Sequence, residues 1–175
     1  VAKMVHTERG NFQGILIGSQ TAIIDNPTLL TTSPTKFPPV RIVLDRRGRL
    51  KDNPTLHLLT DGQAPTWIFT ENSSLQDQFA KGIRVFYRRT WSINDILHEL
   101  GYREIQSVYV EGGPTVHQAF LWEGLFEELI TYLAPQMLGE KGVPGMESPH
   151  QLHLAHQEIK ILENNIRIAE RKIEN

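Results

Sequence analysis

The chain has 175 residues, of which 39% are hydrophobic and 22% charged, with a formal net charge of −2 and no cysteine. That balance argues against nucleic acid or an anionic membrane as a bulk partner, and the lack of cysteine excludes disulfides, thiolate metal sites and a cysteine nucleophile. With no run of 18 apolar residues and no signal-peptide pattern, a cytoplasmic protein forming one domain over residues 1–175 is expected.

Val1 to His6 reads as the middle of a helix, without initiator methionine or cap, so the chain is expected to start inside a longer polypeptide. The apolar run Phe12 to Ile17 predicts a strand, and Gly18-Ser19 lead into a short helix closed by Asn26-Pro27. After a Thr/Pro-rich loop (Thr28 to Pro39), Val40-Arg-Ile-Val-Leu-Asp45 is an apolar run of the kind buried in parallel sheets. Further strands are predicted at Thr55 to Thr60, Thr66 to Thr70, Ile83 to Tyr87, Ser107 to Glu111 and Glu128 to Leu133. Helices are predicted at Ser73 to Lys81, Ser92 to Leu100 and Pro114 to Trp122. Glu158 to Leu162 and Ile166 to Ala169 alternate apolar and polar residues around Asn164-Asn165, the pattern of an antiparallel hairpin. The alternation of strand and helix predicts a three-layer α/β/α fold with a mixed, mostly parallel sheet and a C-terminal antiparallel hairpin.

Val108-Tyr-Val-Glu111-Gly-Gly-Pro-Thr115 is the most informative stretch. A buried strand breaks at two glycines and restarts as a helix at a proline, which is favoured in the first helical turn because its missing N–H would be unpaired there. The remaining first-turn amides and the positive helix end favour a phosphate, and glycines let it approach the backbone. Glu111 would be repelled by that phosphate, so it suits a neutral polar ligand beside it. Thr21 and Asp25, four residues apart, share a helix face and could meet ribose hydroxyls or an amide; alternatively Ser19 or Thr21 caps the turn and Asp25-Asn-Pro ends it. Arg46 and Arg47 follow a strand at the carboxyl edge where parallel sheets bind ligands, and form either a phosphate clamp or a solvated basic turn. His117, one helical turn from the Glu111 loop, either faces the site or packs. His150, His153 and His156 lack a fourth ligand at metal-site spacing and read as loop histidines, so no metal is expected. Neither G-x-G-x-x-G nor the P-loop pattern occurs. Trp67, Trp91 and Trp122 read as core or surface-cover residues.

Taken in order, Ile15-Leu-Ile-Gly-Ser-Gln-Thr21-Ala-Ile-Ile-Asp25-Asn-Pro27-Thr-Leu29, Arg41-Ile-Val-Leu-Asp45, Val110-Glu111-Gly-Gly-Pro-Thr115 and Leu133-Ala-Pro-Gln-Met-Leu-Gly139 resemble the reductase domain of the riboflavin-biosynthesis protein RibD. The resemblance covers nearly the whole chain. It implies a dihydrofolate-reductase-like fold, a homodimer, and NADPH-dependent reduction of the phosphorylated ribosylaminopyrimidine 5-amino-6-(5-phosphoribosylamino)uracil to its ribitylamino product. It further implies that Thr21, Asp25, Arg46, and Gly113, Pro114, Thr115, Val116, His117, Gln118 and Ala119 contact NADPH, and that Arg9, Leu29 and Glu111 contact substrate, Glu111 being the candidate catalytic group.

Two departures from the family pattern are visible. The family opens with a strand carrying a Leu-Asp-Gly-Lys-like motif, which this chain lacks at its start, and a zinc-binding deaminase domain is expected ahead of it in the full-length protein. Thr32 stands where the pattern Asn-Pro-x-Leu-Thr-x-Arg has an arginine. These departures keep two other readings open: a non-catalytic dimeric nucleotide-binding remnant, and a reductase of a pterin or another small imine.

Overall fold

The computed structural model describes residues 1–137, 139, 142 and 152–173. The chain divides into two compact units, Ala2–His117 and Gln118–Asn175, with Val1 assigned to the second.

The first unit opens with helix α1 (Ala2–Glu8) and a 3-10 turn (Arg9–Asn11), followed by β1 (Gly14–Gly18), α2 (Ser19–Asp25) and β2 (Val40–Leu44). A single helical turn, α3 (His57–Thr60), precedes β3 (Thr66–Thr70), β4 (Ile83–Tyr87), α4 (Ile93–Tyr102) and β5 (Val108–Gly112). The five strands form one parallel sheet in the order β4-β3-β2-β1-β5. Every residue of β1 and of β3 is buried. Successive strand side chains point to opposite faces, so both faces of the sheet are covered, as a parallel sheet requires. On one face Ile15, Ile17, Val43 and Ile68 pack with Ala22, Leu50, Leu58 and Leu75; burying each of the larger aliphatic side chains contributes roughly 1.5–3 kcal/mol.

Two features of this sheet position the site. The chain runs outward from β1 through β2, β3 and β4, then returns to lay β5 on the other side of β1. The order therefore reverses between β1 and β5, the switch point at which open parallel sheets bind ligands beyond their carboxyl ends. In addition, Leu16 pairs with Val110 while Ile17 pairs with Gly112. Glu111 is thus the extra residue of a β-bulge, a local kink that re-aims a side chain.

Two elements differ from expectation. Thr55 to Thr60 is a turn and the helical turn α3 instead of a strand, because a distant residue caps it: the His57 N–H donates to Asn26 Oδ1 (2.8 Å) and His57 Nδ1 lies 3.0 Å from the Asn26 carbonyl. Ser73 to Lys81 is helical only as a 3-10 turn at Ser73–Leu75, with the Asn72 side chain accepting from the Ser74 N–H; Gln76 at ψ 136° leaves the helical region and Asp77 follows at φ +62°. The helix α4 forms as expected, with Ser92 and Asp95 making a reciprocal capping box.

Helix α5 (Pro114–Glu123) leads from β5 into the second unit, whose strands β6 (Glu128–Leu133), β7 (Leu154–Leu162) and β8 (Asn165–Lys172) form an antiparallel sheet in the order β6-β8-β7. The expected hairpin is β7–β8, longer than its sequence pattern and turning one residue earlier. Leu162 pairs with Asn165, and Glu163 takes φ +55° in the two-residue turn. The mixed α/β architecture is as expected, with its parallel and antiparallel parts in separate sheets.

Candidate active site

The Gly112-Gly113-Pro114 turn lies against the start of α2. Gly113 has φ +90°, and a Cβ there would sit 2.9 Å from Thr21 Oγ1; a Cβ at Gly112 would sit 3.1 Å from Ile17 Cγ2 and 3.3 Å from Thr21 Cγ2. Only glycine accepts both the backbone angle and the approach. On the opposing strand, a Cβ at Gly18 would meet Val116 Cγ2 at 3.0 Å. Thr21 is half-buried beside the turn, whereas Pro114 and Thr115 at the helix start are exposed. Asp25 is exposed at the far end of α2. The His117 ring turns back to the preceding strand β5, Nε2 lying 3.0 Å from the Val110 carbonyl. Since the carbonyl can only accept, that nitrogen carries the proton. Val116, Gln118 and Ala119 are partly buried along α5.

Glu111 meets Arg9. Arg9 Nε donates to Glu111 Oε1 at 2.5 Å and Nη2 donates to Oε2 at 2.7 Å, while Nη1 donates to the Leu30 carbonyl at 2.9 Å. The arginine is 6% exposed, so this is a forked pair of the strong, geometrically specific kind. Two candidate substrate residues 102 positions apart are therefore partners, brought together by the turn after α1 and the bulge in β5. Leu29 takes φ +53° and as a whole residue is only 2% exposed, so it shapes this loop from within the core. Thr32 is exposed; its N–H donates to the His6 carbonyl, and its hydroxyl lies 3.4 Å from that of Thr7.

Arg46 follows β2 with its side chain 70% exposed, Nε 3.2 Å from Glu71 Oε1 and Nη2 donating to the Trp91 carbonyl at 3.3 Å. Leu44, Phe69, Trp91 and Ile93 line a small recess with these two charged residues, and Arg88 stacks over the Trp91 ring at 4.3 Å. Trp67 and Trp91 are buried, and Trp122 is exposed. Asp45, at the end of the same strand, is wholly buried and accepts from the Arg49 and Leu50 N–H groups, a structural role.

Sequence reasoning overlooked Arg41. It is 1% exposed within β2, with Nη1 donating to Asp61 Oδ2 (2.7 Å) and the Thr28 carbonyl (3.3 Å), and Nη2 donating to the Ala64 carbonyl (2.7 Å). An arginine in an otherwise apolar strand is the signal that could have found it. Burial raises the Asp61 carboxyl pKa, but hydrogen bonds from Arg41 and the Gln63 N–H, with the charges of Arg41 and His57, outweigh it and hold the group below the ordinary value.

His153 is exposed; His150 and the His156 side chain lie outside the described residues. Among the described residues no cluster of three histidine or acidic side chains has metal-binding proximity, and no helix is long and apolar enough to cross a membrane.

The model of the RibD C-terminal domain family matches residues 1–167. The riboflavin biosynthesis protein RibD of Bacillus amyloliquefaciens is 41% identical over 147 residues, covering 80% of this chain and 39% of that protein. RibD of Aquifex aeolicus is 31% identical over 176 residues, covering 99% of this chain and 46% of that protein. The chain thus spans less than half the length of these curated relatives. A diaminohydroxyphosphoribosylaminopyrimidine deaminase/5-amino-6-(5-phosphoribosylamino)uracil reductase from Thermotoga maritima has the same fold, with a TM-score of 0.80 at 23% identity over 97% of this chain and 48% of that one.

Proposed function

The chain belongs to the RibD C-terminal domain family, and on that premise we propose that it is the NADPH-dependent reductase portion of a riboflavin-biosynthesis enzyme. Its substrate in this reading is 5-amino-6-(5-phosphoribosylamino)uracil and its product the ribitylamino compound. The observation that carries the reading is Glu111, bulged out of β5 and gripped by Arg9, immediately before a glycine turn that opens helix α5.

The residues fit a dinucleotide. The glycines draw Thr21 to 2.9 Å from where a Cβ of Gly113 would stand, so backbone and a hydroxyl are presented together, and the positive end of α5 favours a phosphate although its Val116 and His117 N–H groups donate to the Gly113 carbonyl. In this reading Gly113 to His117 and Thr21 hold the pyrophosphate side, Asp25 meets a ribose hydroxyl or amide, and the exposed Arg46 guanidinium meets the 2′-phosphate. When bound, the nicotinamide supplies the hydride. Glu111 acts first as an orienting acceptor. Each of its oxygens accepts one bond from Arg9 and keeps a lone pair on which it can accept from a substrate N–H or hydroxyl without breaking the fork. Arg9 keeps that carboxylate aimed, and its third contact ties the loop of Leu29 to the same centre.

The same reading takes the working form as a cytoplasmic homodimer, fused to an N-terminal deaminase domain. Fluorescence titration with NADPH, followed by an NADPH-oxidation assay with the ribosylaminouracil phosphate, tests it. Saturable binding and turnover are expected. A folded sample that binds no NADPH would reject the reductase reading, and binding without oxidation of this substrate would reject the substrate assignment. The second outcome has a specific precedent in the molecule, since Thr32 offers a neutral hydroxyl in place of the arginine that a phosphate prefers.

A further inference from the structure

The loop at Thr28 to Leu30 is held from both sides by buried guanidinium groups. Arg41 Nη1 donates to the Thr28 carbonyl and Arg9 Nη1 to the Leu30 carbonyl, and the residue between them, Leu29, is kept at φ +53° with its side chain in the core. A leucine at positive φ is strained and persists only where its surroundings over-determine it. Arg41 stands in register with Ile15 on β1 and Thr66 on β3. Its Nε has no hydrogen-bond partner and is the sole buried side-chain polar atom of that kind among the described residues. A buried guanidinium costs desolvation that an apolar residue would not, and an unmade bond adds to that cost. What Arg41 provides in return is three fixed contacts, to Asp61, Ala64 and Thr28, that tie the loop to the sheet.

We propose that Arg41 is a positioning residue for the pyrimidine substrate, fixing the Thr28–Leu30 backbone opposite the contact Arg9 makes while it holds Glu111. This rests on the reductase reading above. The hydrogen-bonded path runs from Glu111 through Arg9 to Leu30, and from Thr28 through Arg41 to Asp61. It fixes Leu29, which as a whole residue is only 2% exposed, at its positive φ between those two contacts.

The test uses Arg41→Met, which keeps volume without the fork, and Arg41→Lys, which keeps charge but cannot reach all three acceptors. Amide hydrogen exchange over residues 28–32 is read in the absence of ligand, and KM for the pyrimidine and Kd for NADPH are read separately. Exchange over 28–32 should quicken at least tenfold, pyrimidine KM should rise at least tenfold, and NADPH Kd should stay within threefold. Where Arg41→Met fails to fold, Arg41→Lys carries the same three readouts, and Asp61→Asn, which leaves the Thr28 contact in place, should change exchange and KM less than either. Unaltered exchange in a folded variant overturns the inference irrespective of function. Quickened exchange with unchanged KM, or equal losses of pyrimidine and NADPH binding, overturns it as a statement about substrate. A parent protein that turns over no pyrimidine instead fails the reductase reading itself, and its exchange data still report on the loop.

Discussion

Arg9 and Glu111 form a two-bond fork across 102 residues of sequence, one from the turn that follows α1 and the other from the bulge at the end of β5. The pair is shielded, with side-chain exposures of 8% and 15%, so solvent screens it far less than a surface ion pair. Removing one partner strands the other charge. Arg9→Ala and Glu111→Ala should each destabilise the fold by about 3 kcal/mol, and the double variant should recover about 1–3 kcal/mol of the summed loss. Urea unfolding of the four proteins measures this, and strict additivity would contradict it.

Glu111→Gln separates orientation from proton transfer. The amide keeps one acceptor but turns an NH2 group toward the Arg9 fork, so pyrimidine KM should rise roughly tenfold, about 1.4 kcal/mol, with NADPH affinity unchanged. Turnover at saturating substrate should fall by less than about tenfold. A loss of kcat by a thousandfold at unaltered KM would instead identify Glu111 as the obligatory acid or base.

Gly113→Ala tests the glycine turn. A side chain at φ +90° costs about 1–2 kcal/mol, and its Cβ would press on Thr21 Oγ1. Thermal unfolding should show the loss, and NADPH should bind at least tenfold more weakly. Adding Thr21→Ala should relieve the contact but not the backbone strain, so stability should return only in part.

Arg46→Ala distinguishes a cofactor contact from a structural one. Its pair with Glu71 is mostly solvent-exposed on the arginine side and contributes little to stability, so the melting temperature should hardly move. NADPH Kd should rise roughly tenfold while NADH Kd stays near the parent value, since a charge-assisted bond to the 2′-phosphate is worth about 1.5–3 kcal/mol. Equal losses for the two cofactors would exclude a 2′-phosphate contact.

Asp61 couples the Arg41 cluster to pH. Burial raises its carboxyl pKa, but Arg41, the Gln63 N–H and His57 together bring it below the ordinary 3.8. A pKa lowered by folding contributes stability above the unfolded value and loses it as pH falls through the folded one. Asp61→Asn should therefore cost stability at neutral pH, and the gap to the parent should narrow once pH drops below about 4. A gap that widens in acid, followed by urea unfolding across pH, would contradict this assignment.

Local chemistry made much of this protein legible in its sequence. The apolar runs at Ile15 to Ile17 and Val40 to Leu44 identify buried parallel strands because burial on both faces needs continuous apolarity, and Ser92 with Asp95 starts a helix by bonds within four residues. The Gly112-Gly113-Pro114 turn was visible for the same reason, since φ and a missing side chain are properties of the residues themselves. Four separated motifs, taken in order, pointed to the family that the comparisons bear out. Tertiary structure alone decided what depends on neighbours far along the chain. The segment before β3 is a helical turn because Asn26, 31 residues away, caps His57. Glu111 changed from a carboxylate beside an anion socket into one arm of an ion pair because strand order puts β5 against β1, and a one-residue slip in their register frees it from the ladder. Arg41 reads as a charge in a strand until folding closes Thr28, Asp61 and Ala64 around it. Propensity and periodicity act over a few residues, whereas a guanidinium finds its acceptors only after the sheet has been ordered.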